Sequence, residues 1–359
     1  VARTGRTAER GSALALSKTL GGLPLAHEQA AAYCDRVGTT IAEYAKRFQI
    51  APSVAMDSTR DTSREYRDGL TVSKTFAVAI DEAAKIHSAA EPLIVYASLL
   101  APEPIPLVLF SEGREKFSEP FASSIKEGGL NEAVAALRAL ALVDRESVPD
   151  ERDASISTDC VRLHRLVRQV AASRAEVQRR TSARDELLAA LANIYPPRVS
   201  SDPPTWPLAR RLDTIAIALT GEDCAVSPGT EPAHIYVLNQ LAAYRREVTA
   251  AFSMARPLLD RARAISEKAL GPDHPLTAMC LNNIGVLLDT QGDQGGARAF
   301  CEKARTIREA VLGPDHLDTA DSLNDLGFLL QYQGDLDQSQ MLLERALMIR
   351  EKQLEPDHP

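Results

Sequence analysis

Residues 270–317 read LGPDHPLTAMCLNNIGVLLDTQGDQGGARAFCEKARTIREAVLGPDHL, and this stretch opens and closes on nearly the same words. LGPDHP begins at Leu270, LGPDHL at Leu312 and LEPDHP at Leu354, so the spacing is 42 residues both times. The register holds between them. Leu281-Asn282 recurs as Leu323-Asn324, Gly285 as Gly327 and Leu288 as Leu330. Gly292-Asp293 recurs as Gly334-Asp335, Ala304 as Ala346 and Ile307 as Ile349. A fixed period of this length marks a repeat architecture in which each unit buries its apolar face only against its neighbours. A worn earlier copy carries Leu238-Asn239, Asp260-Arg261-Ala262 and Ile265, and is one residue shorter at its central turn.

Each unit reads as two helices. The first is expected over Pro275 to Thr290, with Leu281, Ile284, Leu287 and Leu288 on one face at helical spacing. Gly292 stands where a helix ends in a left-handed residue, and Asp293 where a side chain caps the next helix. That second helix is expected to reach about Leu312 and stop at Gly313, with Pro314 and Asp315 starting the next pair. Gly285 and Gly327 fall inside first helices, where glycine costs roughly 1 kcal/mol relative to alanine. Close approach of the partner helix would offset this, with Ala304 and Ala346 expected on the other side of the contact.

The pattern resembles the 42-residue tetratricopeptide repeats of kinesin light chains, over about Pro232 to Pro359. The resemblance implies a right-handed solenoid whose first helices line a concave peptide groove. Asn282, Asn283, Asn324 and Asp325 are the candidate groove residues. An amide donates to and accepts from a peptide backbone of any sequence. The same spacing serves equally to bridge neighbouring repeats, and both readings stay open.

The N-terminal half is also expected to be mainly helical. Leu20 to Tyr33, LGGLPLAHEQAAAY, places two glycines and a proline between helical stretches. Glu91 to Phe110 gives an apolar helix, a Pro-rich turn and a short second helix; Leu130 to Leu140 is a third. Leu140 to Asp144 reads as a strand, an acidic loop follows, and Thr158 to Leu163 reads as the hairpin partner. Helices followed by a hairpin are the layout of a winged helix. Two further helices are expected over Thr181 to Tyr195 and Trp206 to Leu219.

GLPLAH resembles the GLPLAL motif of the nucleotide-binding STAND ATPases, with His27 in place of the terminal aliphatic residue. In that family the proline packs against adenine, and Pro24 is the matching position. LHRLVRQVAASR from Leu163 resembles the family's MHD motif, whose histidine touches the β-phosphate of ADP in the closed state; His164 is the match. Arg165 stands where many members have Asp, which reverses the local charge. The resemblance implies a helical domain over 1–60 that follows an ATPase core, a winged helix over 61–178, a helical connector over 179–231 and repeats over 232–359. It implies ADP or ATP in the intact protein and none held by this chain alone, a protein or peptide partner in the groove, and an oligomer driven by nucleotide.

Other classes are weakened by composition. No GxxxxGK[ST] loop is present, nor a GxSxG, HExxH or kinase signature, so no catalytic residue is assigned. The five cysteines are scattered and never form CxxC, which reads as reduced thiols in a cytoplasmic protein without a metal site. A formal charge of -8 disfavours a nucleic-acid coat. Arg162, Arg165, Arg168 and Arg174 flank the hairpin, but Asp144, Glu146, Asp150, Glu151, Asp153 and Asp159 crowd it with acid. No run of eighteen apolar residues suggests a membrane span, and the first residues lack a signal-peptide core. The chain does not begin with Met and ends on EPDHP, which elsewhere opens a unit, so a piece of a longer protein is expected. A plain repeat adaptor and a winged-helix transcription regulator remain as alternatives.

Overall fold

The computed structural model describes residues 9–20, 24–50, 64–174, 176–197, 199 and 202–353. The chain is mainly α and divides into two compact units: residues 1–194 with 217–219, and residues 195–216 with 220–359.

In the first unit, α1 (Arg10–Thr19), α2 (Pro24–Val37) and α3 (Ile41–Ile50) precede the long α4 (Arg64–Ile86). Next come α5 (Ala90–Ser98), β1 (Ile105–Pro106), the single turns α6 (Val108–Ser111) and α7 (Phe121–Ser124), and α8 (Gly129–Ala139). The hairpin β2 (Val143–Pro149) and β3 (Ser157–Leu163) leads into α9 (Arg165–Arg174) and α10 (Val177–Ile194). The sheet is antiparallel in the order β1-β3-β2, with Ile105 opposite Val161 and Arg145 also opposite Val161 on the other side. Tyr96, Phe110, Phe117 and Phe121 cluster with one another, edge to face, tilted and stacked.

The expected strand from Leu140 begins three residues late. Leu140 caps α8, and Ala141 takes a left-handed backbone with φ 52°, so the apolar run splits between a helix end and a strand. The hairpin's acid is also partly neutralised. Arg145 pairs with Asp159 at 2.5 Å and Arg162 with Glu146 at 2.7 Å. Asp150 is buried, and accepts the backbone N–H groups of Arg152 and Asp153.

The second unit holds α11 (Trp206–Thr220), except residues 217–219 of its last turn, which group with the first unit, and three helix pairs. These are α12 (Glu231–Glu247) with α13 (Phe252–Ala269), α14 (Pro275–Thr290) with α15 (Gln294–Val311), and α16 (Leu317–Gln333) with α17 (Leu336–Gln353). Each pair packs on the next, and the first helices also touch one another in the order α12, α14, α16. One apolar cluster runs through all three pairs, from Ala242 and Leu259 through Ile284 and Leu287 to Leu326 and Leu330.

The repeat's punctuation follows from backbone geometry. Gly292 has φ 85° and Gly313 φ 96°, where a Cβ would crowd the following carbonyl. Asp293 Oδ1 accepts from Gly296 N–H at 3.0 Å and caps α15. α14 starts at Pro275 as expected, whereas α16 starts at Leu317 rather than at Pro314-Asp315. His274 and His316 are the capping residues, and their Nδ1 atoms accept from Leu276 N–H and Asp318 N–H at 3.1 Å. Gly285 does approach the partner helix, but against Ala297 and Cys301 rather than Ala304. Ala304 packs one turn away with Ala278, Leu281 and Ile307, and Ala346 likewise with Ala320, Leu323 and Ile349.

Candidate protein-binding face of the helix array

The first helices carry their amides to the joints between repeats. Asn283 Nδ2 donates to Asn239 Oδ1 at 2.7 Å, joining α14 to α12. Asn282 Nδ2 donates to Asp325 Oδ2 at 2.6 Å, joining α14 to α16. Asn239 also donates to the Ile235 carbonyl and to Cys280 Sγ. Counted along the repeat, Asn239 and Asn282 hold one position, and Asn283 and Asp325 the next. A ladder therefore links the same two positions at both joints. Asn324 occupies the Asn282 position in the last pair, and its Oδ1 receives Arg350 at 3.5 Å. Three of the four candidate groove residues thus bridge repeats, as the spacing permitted.

The ladder is electrostatically loaded. Burial holds the Asp325 carboxyl above the ordinary carboxylate range, against the Asn282 hydrogen bond, which lowers it. Asn282 is 4% exposed, and its Oδ1 has no hydrogen-bond partner. Asp289, one helical turn beyond Gly285, is also raised by burial. Burial pushes the Cys301 thiol up to about 12, and the charges of Asp325 and then Asp289 add to the effect.

Asn283 further lines a hollow between α12, α13 and α14 with Ala243, Arg246 and Leu287. Arg246 is held there by Glu247 at 2.8 Å. On α16, Phe328 and Tyr332 lie one helical turn apart and are 48% and 74% exposed. Sequence reasoning passed over both, along with Asp289. Their only sequence signal is an aromatic pair at helical spacing on the less apolar side of a repeat helix.

The nucleotide candidates lie in the first unit. Pro24 opens α2, and its side chain is outside the described residues. His27 Nε2 meets Ser17 Oγ at 2.9 Å and ties α2 to α1. His164 is exposed, and its Nδ1 accepts from Leu166 N–H at 3.3 Å at the start of α9. That is the capping geometry of His274 and His316. The arginines near it are engaged: Arg168 donates to the carbonyls of Ala97, Ser98 and Leu100 at the end of α5. Arg174 pairs with Asp81 and Glu91. The side chain of Arg165 is outside the described residues. Among the described residues no helix is long and apolar enough to cross a membrane, and no group of His, Cys, Asp or Glu has the geometry of a metal site. The five cysteines are free, with Cys34, Cys160, Cys280 and Cys301 buried.

Residues 235–300 and 295–352 match the tetratricopeptide repeat family model. No curated protein matches the chain. Among solved structures, the nearly identical TPR-like repeats of kinesin-light-chain type from Podosopora anserina are 16% identical with a TM-score of 0.36, covering 69% of this chain and 97% of that one. A single-substitution variant of the same protein gives 16%, 0.36, 68% and 95%. A Signal Transduction ATPase with Numerous Domains protein with a tetratricopeptide repeat sensor, from Pyrococcus horikoshii, is 12% identical with a TM-score of 0.28. The alignment covers 92% of this chain and 54% of that one, so this chain spans about half of that protein's length.

Proposed function

We propose that this chain is the regulatory, protein-binding part of a STAND signalling ATPase. The repeat array senses a protein or peptide partner, and the segment before it responds to ADP or ATP held by the intact protein. The observation that carries the binding half is the continuous stack of three tetratricopeptide-type pairs, whose first helices form an unbroken face from α12 to α16. Tetratricopeptide arrays bind proteins through such faces and perform no reaction.

The nucleotide half rests on the motifs around Pro24 and His164. It is supported by the order α5, β1, α6, α8, β2, β3 with the sheet β1-β3-β2, the layout of a winged helix. In this reading residues 1–60 are the helical domain after the ATPase core, 61–178 the winged helix, 179–231 a connector and 232–359 the sensor. Pro24 packs on adenine and His164 on the β-phosphate of ADP. Partner binding favours the open state only as far as the partner binds that state more tightly. The protein works in the cytoplasm and without nucleic acid.

A second reading has an observation of its own. His164 caps α9 as His274 and His316 cap repeat helices, which suits a histidine with no ligand. The chain is then a plain adaptor. The intact protein separates the two. With a GK[ST] loop encoded upstream of Val1, His164→Ala should weaken ADP binding and raise basal activity. Unchanged ADP affinity and activity, or no such loop, leaves the adaptor.

A further inference from the structure

The two joints of the helix array use the same two positions in opposite directions. At the α12–α14 joint Asn283 is the donor, and Asn239 Oδ1 accepts at 2.7 Å. The Asn239 amide group is itself engaged by the Ile235 carbonyl and Cys280 Sγ, which leaves its oxygen turned to Asn283. At the α14–α16 joint Asp325 stands at the Asn283 position, and an ionised carboxylate has no proton to donate. Asn282 is the donor there, from Nδ2 to Asp325 Oδ2 at 2.6 Å. The atom that accepts at the first joint, the amide oxygen, is buried at the second joint without a partner. A buried acceptor left unpaired costs free energy. Turning the Asn282 amide over would set its oxygen against the carboxylate, so the charged acid itself keeps that oxygen unpaired.

Charged groups act on Asp325 from several helices. Arg246 on α12 and Arg308 on α15 favour the carboxylate, as do the hydrogen bonds of Asn282 and Asn324. Burial opposes it, and so does Asp321 one turn earlier on α16; burial is the largest influence and leaves the carboxyl above its ordinary range. Arg350 on α17 pairs with Asp321 at 2.8 Å. Asp289, the one acid of α14, acts with Asp325 on the Cys301 thiol of α15, which burial keeps neutral. The first joint has none of this ionisable set at the matching positions. Asn283 replaces Asp325, Met279 replaces Asp321 and Ser266 replaces Arg308.

We propose that the α14–α16 joint responds to protons and that the α12–α14 joint does not. Protonated Asp325 donates to Asn282 Oδ1 and so restores the direction of the first joint, while its other oxygen keeps the bond from Asn282 Nδ2. Acid therefore tightens the last helix pair against the middle one. With Asp325 ionised, the rung is a single bond and the joint opens more readily. The device needs neither nucleotide nor partner.

Hydrogen exchange of the full 359-residue chain, followed by mass spectrometry at pH 4.5 and 7.5 and corrected for the intrinsic rate, reads each helix separately. In the parent, α16 should be protected about tenfold more at pH 4.5, roughly the worth of one hydrogen bond. Protection of α12 should be the same at both pH values. Asp325→Asn carries a permanent amide donor, so its α16 should hold the parent's acid-level protection at both. Asp337→Asn, which removes an exposed acid of α17, should respond as the parent does. A parent whose α16 does not respond, or whose α12 responds as strongly, overturns the proposal, and this comparison stands even if a variant loses helicity. A response that survives Asp325→Asn, or disappears in Asp337→Asn, with helicity unchanged, overturns it too.

Discussion

A Cβ at Gly285 would fall 2.5 Å from Cys301 Sγ and 3.0 Å from the Ala297 carbonyl oxygen. The helix tolerates its glycine there because α15 lies against bare backbone. Gly285→Ala gains roughly 1 kcal/mol of helix propensity, but overpacking in a dense core typically costs about 1–3 kcal/mol. The variant should be destabilised in urea unfolding, and a stabilised variant would show that Cys301 moves aside freely. Asp325 makes the opposite case. Burial raises its folded-state pKa, so its protonated form is favoured in the native chain. Its penalty is absent below the unfolded carboxylate pKa, grows as pH rises from there toward the folded value, and is constant above it. Asp325→Asn should therefore melt higher than the parent at neutral pH, with the gap closing toward acid. Equal melting temperatures at pH 7 would mean the carboxylate is not strained.

At the scale of the element, local signals set most boundaries. The helix expected over Pro275 to Thr290 forms over those residues, because Gly292 and Asp293 act through backbone geometry that neighbours do not alter. Asp293→Ala removes the bond to Gly296 N–H and should cost about 1 kcal/mol, read as a lower denaturant midpoint with an unchanged slope. The histidine caps were hidden because His is not among the preferred capping residues; the imidazole serves through Nδ1 once the backbone ahead of the helix is extended, at φ -78° and ψ 144° for His274. Strand β1 was illegible for another reason. Two residues, one of them Pro106, carry no alternation, and only pairing with Val161 and Cys160 makes them a strand.

At the scale of the whole chain, the array begins before its first recognisable repeat. Arg245 on α12 forms a two-point ion pair with Asp213 on α11 at 2.9 and 3.1 Å, with its side chain 10% exposed. Tyr236 and Gln240 donate to the carbonyls of Tyr195 and Pro197. A fragment over 195–359 should fold as a helical unit by circular dichroism. One over 231–359 leaves Arg245 without its carboxylate and should be less stable by about 3 kcal/mol. Equal melting temperatures for the two would show that α11 is not part of the array's cap.

The 42-residue period, the two-helix unit, the turn glycines and the Asp cap were legible in the sequence, because each rests on interactions within a few residues or on strict recurrence. So were Asn282, Asn283, Asn324 and Asp325 as residues of note. Which of their two roles they fill was not legible, since bridging and binding ask for the same amide at the same place. Only the stacked helices supply the bridging contacts, by setting Asn283 on Asn239 and Asn282 on Asp325. The partner of Gly285 was decided there too. Contacts between residues some forty positions apart depend on how one pair is rotated against the next, and that rotation is set by packing rather than by any local signal.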